Sequence, residues 1–212
     1  MRYVVSKTYC GNEVEYIMNY LYHGSSIHGI TELKPCSKLH NADKRVIYLT
    51  DNVPYALLYI WDSNVIGYDC KHVTGWIKNG LVYYEEQFPD QLKMFYQGAK
   101  GYLYYIESNA DFCPVEDREC MFYSLINAKI CKLEFVQDVY GELIKYEKLG
   151  KIKILRYNEQ TLQRQEELNN MILTAIIRSN FYENSEARRG FYKKYFAEVW
   201  KKALETASSR QL

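Results

Sequence analysis

Long apolar runs are missing from this chain of 212 residues. The longest clearly apolar segment, residues 55–61, is far too short to cross a bilayer, so no membrane partner is expected. The opening stretch "MRYVVSKTYCGNE" has no apolar run ahead of a small-residue cleavage site, and no signal peptide is expected there. An excess of one charge is missing too. Lys and Arg number 27 against 26 Asp and Glu, a net charge of +1, so no whole-molecule field points to a nucleic acid or an anionic surface. Six cysteines, at 10, 36, 70, 113, 120 and 131, form no C-x-x-C pair. A chain of this length can bury a core without covalent staples, so these read as reduced packing thiols of a cytoplasmic protein. The four histidines, at 23, 28, 40 and 72, are scattered and unmatched with cysteine at ligand spacing, so no metal is expected.

Tyrosine is abundant, at 22 residues. Its flat apolar body and polar tip fit half-buried strands, and they also fit a cleft that stacks planar rings; composition alone favours strands. The first three-quarters of the chain is strand-rich. "NYLYH" and "RVIYLT" are β-type runs. Residues 53–61, "VPYALLYIW", follow Asp51 and Asn52, either able to cap a helix, with Pro54 tolerated in the first turn. "VTGWIKNGLVYYEE" reads as a hairpin turning at Asn79-Gly80, and "PDQLKMFYQG" as a short helix closed by Gly98. "GYLYYIES", "AKICKLEFV" and "KIKILRY" read as strands, and "DVYGELIKYEKLG" as a helix ending at Gly150.

From Asn158 the pattern becomes helical. Leu162, Leu168, Met171, Ile172, Ala175 and Ile176 share one helical face; Tyr192, Tyr195, Phe196, Val199 and Ala203 share another. Two amphipathic helices joined around "NFYENS" are expected, packed on the sheet or carrying a partner surface. Arg188, Arg189, Lys193, Lys194, Lys201 and Lys202 flank the second stripe and read as a solvated face. The division expected is residues 1–156 and a helical segment over 157–212, in an α+β chain.

Two strand ends carry chemistry-bearing residues: "YHGSS", with His23, Gly24 and Ser25, and "VIYLTDN", with Tyr48 and Thr50. Either alone fits an ordinary structural role. Together with Tyr59 downstream and Glu119 in "RECMFYS", they resemble the ADP-ribosyltransferase superfamily of the poly(ADP-ribose) polymerase and diphtheria-toxin type. That family carries a His-Tyr-Glu triad on three separate strands. The resemblance covers roughly residues 18–135 and is patchy between 62 and 118. It implies an α+β fold with a split mixed or antiparallel sheet and short helices, the C-terminal helices lying outside it. It implies NAD as substrate, its ADP-ribose passed to a macromolecular acceptor, protein or nucleic acid, with nicotinamide released. His23, Tyr48 and Glu119 would be catalytic. Glu119 would hold the ribose and stabilise positive charge developing there. Gly24, Ser25, Thr50 and Tyr59 would bind NAD, Gly24 by backbone contact and Tyr59 by stacking opposite Tyr48.

The family pattern is not complete. Its helical serine falls at Ala56 and its strand glycine at Val46. Ala56 supports an alternative: a degenerate form of the fold that binds a nucleotide or a protein partner, with the C-terminal stripe as docking surface. Glu107, at the end of "YYIES", competes with Glu119 for the carboxylate role. A related RNA 2′-phosphotransferase would need more basic residues than Arg45 supplies.

Overall fold

A computed structural model of the chain describes residues 3–9, 12–18, 20–39, 43–61, 75–180 and 186–209. Strands β1 (Tyr3–Tyr9) and β2 (Asn12–Met18) pair with each other, antiparallel, in a hairpin that the sequence reading did not single out. Next come β3 (Tyr20–Ser25), β4 (Glu32–Leu33), β5 (Ser37–Lys38) and β6 (Arg45–Thr50). β6 coincides with "RVIYLT". Helix α1 (Val53–Leu57) is shorter than the 53–61 expected. Asn52 caps it, its side chain accepting from Tyr55 N, and Pro54 sits in the first turn. Beyond it Leu58, Tyr59 and Ile60 donate to carbonyls three residues back, so the chain tightens before leaving the helical path.

Strands β7 (Gly75–Lys78) and β8 (Leu81–Glu85) form the expected hairpin, with Asn79 and Gly80 both at positive φ, as the tight primed turn requires. Residues 73 and 74 of that reading lie outside those described, as do Cys10, Cys70, His40 and His72 and the joint at 181–185. Then follow α2 (Gln91–Tyr96), β9 (Gly101–Glu107), β10 (Cys113–Pro114) and β11 (Met121–Ser124). The single strand expected over 128–136 divides into β12 (Ala128–Lys129) and β13 (Lys132–Val136). The chain changes partner in between: Ile130 N bonds Thr31 O and Cys131 N bonds Tyr105 O. Helix α3 (Val139–Lys148) and β14 (Ile152–Leu155) complete this part, α3 capped by Asp138 on Gly141 N.

The main sheet runs β10-β11-β6-β3-β9-β13, antiparallel throughout, with β5 also laddered to β6. A second sheet, β14-β8-β7, pairs β14 parallel to β8. The chain is therefore α+β, with antiparallel and mixed sheets. Side chains alternate across the main sheet. Leu21, Ile47, Leu49, Tyr104 and Ile106 fall on one face and build a small core with Leu33 and Ala128. Tyr22, Leu103, Tyr105 and Met121 fall on the other, in a larger core shared with the helices and the second sheet.

The C-terminal helices are α4 (Leu162–Arg178), α5 (Glu186–Tyr195) and α6 (Ala197–Ser209). α4 buries Leu168, Ile172 and Ile176, spaced at four residues. Met171, one position round, and Leu162, in the first turn, face solvent, so the stripe is narrower than expected. Arg164 clamps α4 to the second sheet through two bonds to the Glu85 carboxylate, at 2.9 and 2.8 Å. The second amphipathic helix is interrupted at Phe196, yet Phe196 N bonds Tyr192 O and Trp200 N bonds Phe196 O, so helical bonding spans the break. Its stripe is no open docking surface: Phe191, Tyr192, Phe196, Val199, Trp200 and Ala203 are buried in the larger core. Among the described residues no helix is long and apolar enough to cross a membrane.

Candidate functional site

Three neighbouring strands carry the three residues singled out for chemistry: β3 holds His23, β6 holds Tyr48, and Glu119 stands two residues ahead of β11. One register line crosses them, Tyr22 opposite Thr50 and Thr50 opposite Met121. The β3–β6 ladder has only that pair, whereas β3 shares six pairs with β9. The sheet is thus loosely joined where the candidate residues gather.

Thr50 is the polar hinge of the region. It is buried, and its Oγ1 donates to Cys120 O at 2.6 Å while accepting from Asn52 N at 3.1 Å. Asp51 N also donates to Cys120 O, at 3.3 Å. Asn52 Nδ2 reaches Gly80 O at 3.4 Å, and Gly80 N donates to Glu119 Oε2 at 3.1 Å. These bonds close a ring through Thr50, Asn52, Gly80, Glu119 and Cys120, tying the end of β6, the tip of the β7–β8 hairpin and the lead into β11. The lead is contorted. Asp117 and Cys120 have φ of 60° and 58°, in the left-handed region that costs a side-chain-bearing residue about 1–3 kcal/mol. Burial, and then the Asp51 and Glu119 carboxylates, push the Cys120 thiol up to about 11. Glu119 itself is exposed.

Tyr48 shares a sheet face with Thr50, and by register with Tyr22 and Gly24. It packs against the larger core, and its hydroxyl donates to Lys38 O at 3.3 Å. Tyr59 packs on the same core from the segment after α1. Its hydroxyl donates to that of Tyr55 at 3.4 Å, and the two rings meet edge-on with centroids 5.6 Å apart. Burial, and then Tyr55, raise the Tyr59 phenol far above its usual value, while the nearby Arg118 guanidinium opposes the shift. Ser25 turns the chain out of β3, its Oγ accepting from Ile27 N at 3.1 Å.

His23 is half-buried and faces the other way. It alternates with Tyr22 and Gly24, stands opposite Tyr104, and so projects on the small-core side with Leu21 and Leu49. The strands of the expected triad adjoin, but alternation sets the imidazole and the Tyr48 ring on opposite faces. Gly24 also has a reason of its own. A Cβ there would lie 2.0 Å from the Ala56 carbonyl oxygen and 3.0 Å from Ile60 Cγ1, so the space above this glycine is taken by the chain around α1. Glu107 ends β9 opposite Tyr20, three residues along the ladder from the His23 pair, or about 10 Å.

Sequence reasoning did not find the partners of Glu119. Asn79-Gly80 is legible as a turn, but the bond from Gly80 to a carboxylate 39 residues on leaves no local signal. The approach of Arg118 to Tyr59 likewise has no local signal. A cavity of about 480 Å3 lies between α1, α3 and the β9–β13 edge, over Val53, Leu57 and Leu103 with Glu134, Asp138 and Glu142 among its lining. None of the seven candidate residues lines it. Among the described residues no cluster of His, Cys, Asp or Glu could hold a metal ion, and Cys36, Cys113, Cys120 and Cys131 are free thiols, the first two and Cys131 exposed where packing was expected. No protein-family model, curated protein or solved structure matches the chain.

Proposed function

We propose that this chain is an NAD-dependent ADP-ribosyltransferase, with Glu119 as its central carboxylate. The observation that carries this reading is the seat of Glu119. It is exposed at the opening of β11, next to the strand of Tyr48 and two strands from that of His23, and Gly80 N orients its Oε2. Breaking the nicotinamide–ribose bond leaves the electron pair with nicotinamide and positive charge on the ribose. A carboxylate held by a fixed N–H can stabilise that charge and direct the acceptor nucleophile without reorganising. Thr50 and Asn52 keep the carboxylate's supporting backbone in place. Tyr48 and Tyr59 offer flat surfaces for the nicotinamide ring, and the free thiols fit a reducing, cytoplasmic setting. The acceptor would be a protein or a nucleic acid.

A second reading is a degenerate member of that fold, binding a nucleotide or a partner without turnover. Two observations favour it: the Ala56 carbonyl occupies the space over Gly24, and His23 and Tyr48 project on opposite faces. One experiment separates the two: NAD titrated calorimetrically into wild type and Glu119→Gln, with nicotinamide release followed by chromatography. The transferase reading expects NAD binding by both and release lowered by about 100-fold or more in the variant. The variant's stability should change by less than about 0.5 kcal/mol, because Glu119 is exposed. Binding without release from wild type supports the degenerate reading. No binding at millimolar NAD sets the transferase aside.

A further inference from the structure

We propose that the outer edge of β13 is a dimerisation edge, pairing antiparallel with β13 of a second copy of this chain about a two-fold axis through Leu133. The two ends of the main sheet are built differently. At one end β10 is only two residues long and contains Pro114, which has no N–H to offer a further strand. At the other end β13 runs for five residues, "KLEFV", without proline or glycine. Among the described residues it ladders with β9 alone. Four consecutive residues, Lys132, Leu133, Glu134 and Phe135, are exposed, so both faces of this edge meet solvent. Leu133 is 41% and Phe135 51% exposed, a large apolar area for one short strand.

The charge pattern selects the occupant and the register. Antiparallel partners across a continuing sheet share a face, so residues of like parity must meet. With the axis at Glu134, glutamate meets glutamate. With the axis at Lys132, lysine meets lysine. With the axis at Leu133, Lys132 of each copy meets Glu134 of the other, giving two unlike-charge pairs around a Leu133–Leu133 contact. Of the registers centred on residues 132, 133 and 134 only this one pairs unlike charges, and in it the strand is its own electrostatic complement. Phe135 would then lie opposite Cys131 of the second copy, so both exposed apolar side chains gain cover. Within one copy Lys132 Nζ lies 3.8 Å from Glu134 Oε2, and Glu134 also accepts from the Tyr105 hydroxyl. Both charged groups are therefore already on the face where the second copy would meet them.

The test is sedimentation velocity of the full chain over a concentration series reaching millimolar, with Lys132→Glu and Glu134→Lys alone and mixed. Wild type is expected to dimerise reversibly. Each variant alone should dimerise at least about tenfold more weakly, because the axis doubles every charge reversal. The two variants mixed should form a heterodimer, since a strand acidic at both positions then faces one basic at both. Hydrogen exchange on wild type gives a readout free of any substitution: amides of residues 132–136 should gain protection as concentration rises. A wild type monomeric throughout the series overturns the proposal. So does a dimer that both charge reversals leave unchanged, or one whose 132–136 amides show no added protection.

Discussion

A methyl group on Gly24 would collide with the Ala56 carbonyl oxygen, the methyl fixed on its Cα and the oxygen part of the backbone. Neither partner can rotate away. The family resemblance assigns this glycine to ligand approach, but in the structure the chain around α1 already requires it. Ala56, at 1% exposure, belongs to the same packing. Gly24→Ala is therefore expected to destabilise the apo protein by about 1–3 kcal/mol, as overpacked sites do. A fall in the urea midpoint at unchanged m-value would register it. An apo stability equal to wild type would return the glycine to the ligand alone. At the same scale, the Glu119 carboxylate owes its orientation to one backbone N–H in a turn, an arrangement no neighbouring residue in the sequence announces.

Helices α5 and α6 show how an amphipathic stripe acquires its meaning from what lies beneath it. Phe88 receives Phe191, Tyr195 and Phe196 in ring contacts at 6.5, 4.8 and 5.4 Å, and Tyr192 stacks on Trp200. Five large side chains of this segment, Phe191, Tyr192, Phe196, Val199 and Trp200, are under 10% exposed. At about 2 kcal/mol each, their burial contributes about 10 kcal/mol, comparable with the whole stability of an ordinary domain. A chain ending at Asn180 is expected to lose its cooperative urea transition and to bind anilinonaphthalene sulfonate, the marker of exposed apolar surface. A cooperative transition in that truncated chain would show that residues 1–180 stand alone.

Seven tyrosines are buried among the described residues, and this gives the molecule an alkaline limit. Burial raises the Tyr59, Tyr96 and Tyr104 phenols above their usual value and pushes the Cys120 thiol up to about 11. A group whose folded value lies above its unfolded one stabilises the fold at pH below the unfolded value. That stabilisation is lost as pH rises through the folded one. The unfolded values are about 8.5 for cysteine and about 10 for tyrosine. The urea midpoint is therefore expected to hold from neutrality to about pH 8.5 and to fall steadily above that. An ultraviolet titration should show two tyrosine classes, the second appearing only as the protein unfolds. Ionisation of every tyrosine in one step near about pH 10, with the fold intact, would contradict this.

Local and periodic features are legible in the chain alone. Thr50 ending a β-type run, Asp51-Asn52 and Pro54 opening a helix, Asn79-Gly80 turning a hairpin and Gly150 closing α3 are each a conformation enforced by a few adjacent residues. The α+β class follows from adding such elements. The sequence also marked β6 at its full length and put His23, Tyr48 and Glu119 on separate segments. Tertiary structure decided everything that depends on which face meets which neighbour. It set β3 beside β6 by the single Tyr22–Thr50 pair, and that register turned His23 away from Tyr48. It split 128–136 where the chain changes partner, shortened α1 against β3, and buried the C-terminal aromatic stripe in the core. The physical reason is the same each time. Propensity acts over a turn or a strand, whereas register, burial and the Gly80–Glu119 bond arise between residues tens of positions apart, where the chain's spacing records nothing of their distance in space.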